Sequence, residues 1–487
     1  MSGHERICHA SFLRPCRHLG DFEVARRQFI GAGFALAISA SPGRAEKRVA
    51  DSEQKGVITP ERFGAKGDGV TNDTAAFADM TNFVNRRGGG VVALRQTTYI
   101  VGTQGSAPSY ADASIMDFKG CGKGLTILGN GARLRCTSGL RYGTFDPSTG
   151  QPTNHPQPYY NFDEVVFPYY AMIIVENCDG PVEIRDLELD GNLSELIIGG
   201  PYGDTGWQIP AIGLFLLNNT GSEQVSRVHT HHHAQDGIIM NGVESREAGT
   251  VLTEVVSEFN GRQGCSLIGG SNYTFTNCKF NHSGKAGLAS APGAGIDIEA
   301  EAGPIRNLAF SRCVFSNNYG VGMLADSGDT EGADFTDCWF VGTTCWSAWP
   351  RKPRFRFDHC EFVGSIVNTL GDPDPDRAAQ FHDCVFSDDP ALSPTGEVYT
   401  ISPIADLYNH NNVLLNRCLV KLIANGVLPW SVNAIYQDCT MSQVTTKQAY
   451  PRGTYIGVNR IDGNVDLYSS KILGDLYLNG RLLPRTG

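Results

Sequence analysis

The sequence is poor in charged residues, which make up 19% of its 487 positions, and it lacks an excess of basic side chains. Its net charge of -11 argues against general nucleic-acid binding and means that an acidic polymer would need a local basic patch. The apolar run from Phe29 to Ala40 is too short to cross a bilayer as a mature helix. Glycine, in contrast, is abundant at 57 residues, which is typical of many tight turns.

A short phrase recurs through the second half of the chain. Each copy has a large apolar residue, a polar residue where a corner would fall, then Cys and a second apolar or aromatic residue two positions later. Successive cysteines are 35, 25, 22, 24, 34 and 21 residues apart. The copies are Phe275–Phe280, Phe310–Phe315, Phe335–Phe340, Phe357–Phe362, Phe381–Phe386, Leu415–Val420 and Tyr436–Met441.

This period predicts an all-β solenoid. About 22 residues cannot hold two helices with their turns, but they can hold three short strands and three turns, which is one coil of a parallel β-helix. Because side chains alternate along a strand, the Cys and the residue two positions later lie on one face. Stacked coils would therefore place Cys on Cys and Phe on Phe inside the coil.

The chain has 14 cysteines, seven of them in these repeats. A disulfide framework is the usual interpretation of many cysteines in an exported protein. We favour buried free thiols instead, because Cys packs well as a small apolar residue and the repeat positions are predicted to be internal.

Residues 1–50 have the pattern of an export signal. Arg26 and Arg27 precede Phe29, a modest apolar run follows to Ala40, and small residues lead on to Ala45. The pattern resembles a twin-arginine signal; the alternative is a chance arginine pair before a buried helix. Twin-arginine export carries folded proteins, so folding in the reducing cytoplasm would keep the thiols reduced. The resemblance implies a periplasmic or secreted protein.

The stretch from Ile58 to Gly102 carries the most specific resemblance. It reads FGAKGDGVTNDTAAF, then a helical segment, then GGGVV and TYIV. This order resembles the start of the pectin-lyase-like superfamily, which includes pectate lyases, polygalacturonases and phage tailspikes. Asn72 or Asp73 is suited to cap a helix that ends at Arg87. Such a helix would shield the open end of the solenoid from water and from edge pairing.

The resemblance implies a single-stranded right-handed parallel β-helix over residues 57–487 with an N-terminal capping helix. The family stretch is structural, so no catalytic residue is transferred from it. The sequence lacks the polygalacturonase pattern of adjacent aspartates followed by Gly-His-Gly, and it has no clear pectate-lyase calcium motif. Its active site must therefore be sought among its own residues.

Two long insertions, residues 141–170 and 193–211, are rich in aromatic residues. Loops of this length are unusual in a compact solenoid. Tyr202 and Trp207 are suited to stack on sugar rings and to line a substrate groove. Ordinary loop packing is the alternative.

Four segments that align on a glycine predict an outward-facing group of carboxylates. Asp297 and Glu299 would lie two residues apart on one exposed strand face, with Cα atoms roughly 6.5 Å apart. Asp236 would lie two coils away, at roughly 9–10 Å. Such spacings suit an acid and a base, or a nucleophile, in glycoside hydrolysis. The aligned glycines are Gly237, Gly264, Gly295 and Gly320, with Ile238, Cys265, Ile296 and Val321 predicted to point inward.

Basic residues fall near the same strands. Of the histidines at 229 and 231–233, His231 or His233 is the better candidate to face a groove. Arg262 and Lys285 lie in neighbouring predicted turns, where they would neutralise a uronate or act as a base.

Three functions remain open at this point. The first is hydrolysis of a polysaccharide by Asp297, Glu299 and Asp236, which requires no metal or other cofactor. The second is a lyase for a uronate polymer, with Ca²⁺ on those carboxylates and Lys285 or Arg262 as base. The third is a carbohydrate-binding β-helix without catalysis. In each case the expected partner is a polysaccharide, either neutral or acidic. The sequence does not predict the oligomeric state.

Overall fold

The computed structural model describes residues 56–106, 114–153, 162–200, 209–244, 247–401 and 403–486, apart from the side chains of 106, 162 and 408–410. The predicted export signal in residues 1–50, and both Tyr202 and Trp207, lie outside these ranges and stay predictions. In the described residues, no helix combines the length and the apolar character needed to cross a membrane.

The regular secondary structure of the described residues is mostly β-strand. Its N-terminal strands are β1 Val57–Ile58, β2 Gly90–Ala93, β3 Thr98–Val101, β4 Gly105–Ser106, β5 Met116–Lys119, β6 Leu125–Cys136, β7 Arg141–Thr144, β8 Val165–Phe167, β9 Ala171–Glu176, β10 Val182–Asp190, β11 Ile197–Gly199, β12 Ile212–Leu217 and β13 Glu223–His231. The central strands are β14 Ile238–Asn241, β15 Thr250–Thr253, β16 Val256–Glu258, β17 Cys265–Thr276, β18 Lys279–Asn281, β19 Ile296–Ile298, β20 Ala300–Ser311, β21 Val314–Ser316, β22 Met323–Ala325, β23 Gly328–Thr336, β24 Trp339–Val341, β25 Ala348–Pro350 and β26 Phe355–Asp358.

The C-terminal strands are β27 Glu361–Val363, β28 Gln380–His382, β29 Val385–Ser387, β30 Asp406–Asn416, β31 Leu419–Leu422, β32 Trp430–Gln437, β33 Thr440–Gln443, β34 Pro451–Ile456, β35 Val458–Asp462, β36 Lys471–Ile472, β37 Asp475–Leu478 and β38 Arg481–Leu482. The helix α1 spans Thr74–Arg87, and 3-10 turns span Pro60–Phe63, Phe162–Glu164, Leu193–Glu195 and Pro390–Leu392.

Successive coils pair in parallel, which confirms the predicted parallel β-helix. Of the described strands, 34 join one continuous sheet, and β10, for example, lies between β6 and β13 with both pairings parallel. Since each coil hydrogen-bonds to the next in fixed register, equivalent residues of successive coils form columns along the solenoid.

The repeated phrase forms two of these columns inside the coil. Phe310, Phe335 and Phe357 stack in register, with ring centroids 4.5 and 4.9 Å apart. The seven repeat cysteines are buried free thiols, as predicted. Their sulfurs lie 3.2–3.6 Å from backbone carbonyl oxygens, which accept the weak S–H donors.

The polar residue before each repeat cysteine turns the corner, as predicted. Its φ lies between 52° and 54° in all seven copies, in the left-handed region where Asn and Asp are least penalised. Arg312 and Arg417 occupy two of these corners despite the cost. Each pairs with the corner residue of the preceding coil, Arg312 with Asn277 at 2.8 Å and Arg417 with Asp383 at 2.8 Å. The seven corner residues are Asn277, Arg312, Asp337, His359, Asp383, Arg417 and Asp438.

Helix α1 covers the N-terminal coils, as predicted, and ends at Gly88, whose φ is 74°. Its buried face includes Phe77, Met80 and Val84, and the ring of Phe77 meets that of Tyr99 edge-on at 5.2 Å. The N-cap position belongs to Asp73, but Asp73 instead binds the backbone N–H groups of Lys66 and Gly67. Asn72 accepts the Thr74 N–H at 3.0 Å.

The insertions contribute β7, β8 and β11 to a second, four-stranded sheet, and β4 is its fourth strand. Tyr142 and Tyr169 are buried there at 1% and 0% exposure, so these two rings pack inside the protein and do not line a groove. At the other end of the chain, β37 and β38 form an antiparallel pair at the end of the 34-stranded sheet.

Replacing a ring in the middle of the stacked column tests how much it stabilises the fold. Phe357→Ala removes a fully buried ring that stacks on Phe335 and Phe381, each at 4.9 Å. We expect the free energy of unfolding to fall by about 3–5 kcal/mol, because a cavity replaces the ring. Val444→Ala, at a side chain that is 65% exposed, is the control and should change it by less than about 0.5 kcal/mol. Urea denaturation gives both free energies of unfolding. Equal decreases in the two variants would contradict a stabilising role of the stacked phenylalanine column.

Candidate functional site

A cluster of acidic and basic side chains lies on the outer face of strands β6, β10, β13 and β16. The parallel pairing of the strands brings these residues together, and Glu188 lies beside Arg133 and His229 in the adjacent strands. Two residues further along, the next column is Arg135, Asp190, His231 and Glu258. We call these seven residues, together with His232, the outer cluster.

Ion pairs connect the columns of the outer cluster. Arg133 Nε lies 3.1 Å from Glu188 Oε1, and its Nη2 also bonds to Asp190. Arg135 Nε lies 3.4 Å from Asp190 Oδ2. Both arginines keep about a third of their side-chain surface exposed, at 33% and 38%, so they stay accessible to an anion from solvent.

The histidines are tied into the same cluster. His231 Nε2 lies 3.1 Å from Glu188 Oε1, and His229 Nε2 lies 3.1 Å from Glu258 Oε1. His231 Nδ1 faces His232 Nδ1 at 2.7 Å. Burial lowers the pKa of both His231 and His232, so these two rings are neutral at pH 7.

Two carboxylates of the outer cluster, Asp190 and Glu258, have a lowered pKa. Burial alone would raise the pKa of Asp190, but the His231 ring, the Asn192 N–H and Arg133 together lower it. The hydrogen bond from His229 lowers the pKa of Glu258. Carboxylates and neutral imidazoles in this state act as proton acceptors, while the arginines bind anions.

Three rings stack along the edge of the outer cluster. The rings of His232 and Phe259 are 5.2 Å apart, and those of Phe259 and His282 are 4.5 Å apart, all nearly parallel. The three residues occupy corners of consecutive coils, with φ of 55°, 55° and 58°. All three are partly exposed, so together they form an aromatic surface beside the charged groups.

The carboxylates singled out from the sequence lie elsewhere, on the series of strands that contains β14, β17 and β19. Asp297 does face outward beside Ser266, as predicted. The expected solvent exposure is wrong, because Asp236, Asp297 and Glu299 are only 0%, 1% and 4% exposed. Strand alternation indicates the side of a sheet on which a residue lies, but it does not indicate what covers that side.

Apolar residues flank these carboxylates on the outer face. Phe215 and Ile239 belong to one buried cluster, and Leu324 and Trp346 belong to another. The glycine alignment is right for the first three segments and wrong for the last, because Met323 pairs with Ile296 where Val321 was expected. Leu324 therefore lies beside Asp297.

A chain of hydrogen bonds connects the buried carboxylates, and we call it the buried network. Arg262 Nη1 lies 3.0 Å from Asp236 Oδ2, which also accepts the Ser266 hydroxyl at 2.8 Å. The Ser266 hydroxyl also contacts the Gln263 side chain, whose Nε2 donates to Asp297 Oδ2 at 2.6 Å. Desolvation raises the pKa of Asp236 and outweighs the opposing effect of Arg262.

The remaining predicted residues are separated from one another. His233 is fully buried; its Nε2 faces the Leu189 carbonyl and its Nδ1 faces the Tyr169 hydroxyl, so it does not line a groove. Burial lowers its pKa to about 3. Lys285 bonds to Thr344 at 3.2 Å, and burial lowers its pKa. Only His231 among the predicted residues belongs to the outer cluster.

Sequence reasoning missed most of the outer cluster. The sequence did contain a signal. Glu188 and Asp190 in VEIRDLELD are two residues apart and so share one face of a strand, and the same holds for His229 and His231 in QVSRVHTH. Using this signal required the register between β10 and β13, which no short motif displays. Asp236, Asp297 and Glu299 are absent from the sets of metal-ligand atoms found in the described residues, so a calcium site on them stays a prediction.

The buried ion pair gives a stability test. Arg262→Met leaves Asp236 with its charge buried and uncompensated, so we expect the free energy of unfolding to fall by about 3–5 kcal/mol. The double variant Asp236→Asn/Arg262→Met should recover much of this loss, because neither charge remains. Urea denaturation of both single variants and the double variant measures the coupling. Strictly additive effects would show that the two side chains do not interact.

Comparison with known proteins places part of the chain in a known architecture. Residues 172–362 match a family model described as a right handed beta helix region. Over 67 residues the chain is 46% identical to depolymerase 1, capsule KN3-specific, of Klebsiella phage KN3-1. That match covers 14% of this chain and 8% of the depolymerase, so the chain spans a small part of that relative.

Two solved structures are similar over most of the chain. The A-module of mannuronan C-5 epimerase AlgE4 from Azotobacter vinelandii has a TM-score of 0.45 at 14% identity, with 88% of this chain and 100% of that one covered. A tailspike protein of Acinetobacter baumannii bacteriophage Fri1, a capsular polysaccharide depolymerase, has a TM-score of 0.40 at 12% identity, with 89% and 66% covered. The parallel pairing of successive coils and the family model over residues 172–362 identify the fold as a right-handed parallel β-helix.

Proposed function

We propose that the protein is an enzyme that cleaves a polysaccharide on the outer face of β6, β10, β13 and β16. The observation that carries this proposal is the juxtaposition of the stacked rings His232, Phe259 and His282 with the outer cluster. Aromatic faces bind the apolar faces of sugar rings, and the neighbouring charged groups supply hydrogen bonds and proton transfer. The Klebsiella phage relative is a capsule-specific depolymerase, which agrees with this substrate class.

Two partly exposed arginines of the outer cluster favour a uronate-containing polymer. Arg133 and Arg135 are partly exposed on one face of adjacent columns, in reach of a carboxylate that approaches from solvent. Guanidinium groups bind carboxylates through paired hydrogen bonds. An acidic substrate thus finds two partly exposed guanidinium groups on a protein whose net charge is -11.

Of the two cleavage reactions, β-elimination fits this surface best. In it a base removes the proton at C5 of the uronate, that electron pair forms the C4–C5 double bond, and the C4–oxygen bond breaks. His232 is positioned as the base, because it is partly exposed and the His231 ring holds its Nδ1 at 2.7 Å. Arg133 and Arg135 would stabilise the charge that develops on the uronate carboxylate.

Hydrolysis through the buried network is the second candidate. It is favoured by Asp236, whose raised pKa suits the proton donor that a glycosidase needs. Asp297 and Glu299 would then supply the second carboxylate. In the described structure this network is covered, so the reaction would require an opening that admits the sugar.

An assay of the purified mature protein on uronate-rich polysaccharides distinguishes these reactions. We expect ultraviolet absorbance of unsaturated uronates to rise together with reducing ends. Phe259→Ala should raise KM by about 10-fold, because it removes the middle ring of the stack, and His232→Gln should abolish most of kcat. Tyr468→Ala, at a remote ring that is 77% exposed, is the control and should leave both constants unchanged.

Other outcomes lead to other conclusions. Reducing ends without the absorbance, lost in Asp297→Asn and kept in His232→Gln, would assign hydrolysis to the buried network. Binding to a polysaccharide without any product on the whole panel would show that the protein binds carbohydrate without cleaving it.

We also propose that residues 1–50 are a twin-arginine export signal and that the protein acts in the periplasm or outside the cell. The support is the order of Arg26, Arg27 and Phe29 before a modest apolar run. Replacing both arginines by lysine should retain the precursor in the cytoplasm, as measured by fractionation and immunoblotting. Unchanged export of this variant would contradict the proposal, and a variant at Arg44 is the control.

A further inference from the structure

We propose that Glu188, His229 and His231 form a binding site for a divalent transition-metal ion. Their ligand atoms all lie within 4.8 Å of one another. Register explains this proximity, because Glu188 of β10 lies beside His229 of β13, and His231 lies two residues further on the same face. The site rests on this geometry and does not depend on the proposed reaction.

The donor set selects the class of metal. Two imidazoles and one carboxylate suit zinc, cobalt, nickel, copper, manganese or iron in their divalent states, whereas calcium and magnesium prefer oxygen ligands alone. All three ligands come from strands that are paired in the sheet, so the protein holds them in place before the ion arrives. Glu188 and His229 are partly exposed, which leaves open coordination positions and a path for entry.

The surroundings of His231 orient it for this role. A metal on Nε2 requires the proton of a neutral ring to lie on Nδ1. His232 Nδ1, 2.7 Å from His231 Nδ1, is close enough to accept that proton, whereas Asp190 Oδ1, at 3.7 Å, is too far for a hydrogen bond and acts through its charge. A hydrogen-bond partner behind a ligating histidine fixes the ring and strengthens the ligand. In this tautomer the proton of a neutral His232 lies on Nε2, so a bound ion and the action of His232 as a base exclude each other.

The local charge also favours a cation. Glu188, Asp190 and Glu258 contribute three negative charges, and Arg133 and Arg135 contribute two positive ones, so the cluster carries one net negative charge. Arg133 Nε, 3.1 Å from Glu188 Oε1, competes with the ion for that carboxylate. Asp190 is more strongly engaged, with both arginines and the Asn192 N–H. The site therefore forms at Glu188, although Asp190, His231 and His232 also lie within 4.8 Å of one another.

Cobalt titration of the purified mature protein, after removal of metals with a chelator, tests the site. We expect visible d–d absorption bands that saturate at one Co²⁺ per chain and are displaced by Zn²⁺ but not by Ca²⁺. His229→Gln and His231→Gln should each weaken cobalt binding by at least about 10-fold. His359→Gln is the matched control, because it alters a histidine in a separate exposed set with Asp358 and Asp383.

Three results would overturn the assignment. The first is the absence of saturable bands in a wild-type protein whose circular dichroism shows it to be folded. The second is unchanged cobalt binding in His231→Gln. The third is loss of binding in His232→Gln with binding retained in His229→Gln, which would move the ion to Asp190, His231 and His232. Because absorption is measured without substrate, failure of this site and failure of the proposed enzyme activity are separate outcomes.

Discussion

The parallel hydrogen bonding of each coil to the next is the constraint on which the rest of the structure depends. It fixes register, and register decides what stacks on what, from the rings of Phe310 and Phe335 inside to the side chains of Glu188 and His229 outside. The repeat spacing varies between 21 and 35 residues, yet the columns stay aligned because the added residues fall between the paired strands. A solenoid thus tolerates loops without losing its core.

Register also places two different sets of polar side chains, the outer cluster and the buried network, on outward-facing sides of the coils. In the outer cluster, charged columns face solvent, and burial and neighbouring groups hold Asp190 ionised and His231 neutral. In the buried network, apolar neighbours exclude water and raise the pKa of Asp236, whereas Arg262 stabilises its ionised form. Accessibility to solvent, more than the type of residue, separates the two groups.

The fold was largely predictable because its signals are local and repeated. The spacing of the cysteines, the alternation within each copy and the resemblance around Phe63–Phe77 predicted coils, columns and the capping helix. The site was less predictable because it depends on pairing between distant segments. Nothing local in the sequence shows that Glu188 lies beside His229, or that Asp297 is covered on its outer face. His231 was found since it lies in a conspicuous run of histidines.

The column of buried thiols would make unfolding irreversible under oxidising conditions. Cys313, Cys338 and Cys360 are shielded from oxidants only while the coils stay closed, and each is spaced from the next by a single coil. If the chain opens in an oxidising compartment, the thiols become free to form disulfides between coils that are not adjacent in the native stack. The working lifetime of such a protein is then set by the rate at which its coils open, and not by the equilibrium between folded and unfolded forms.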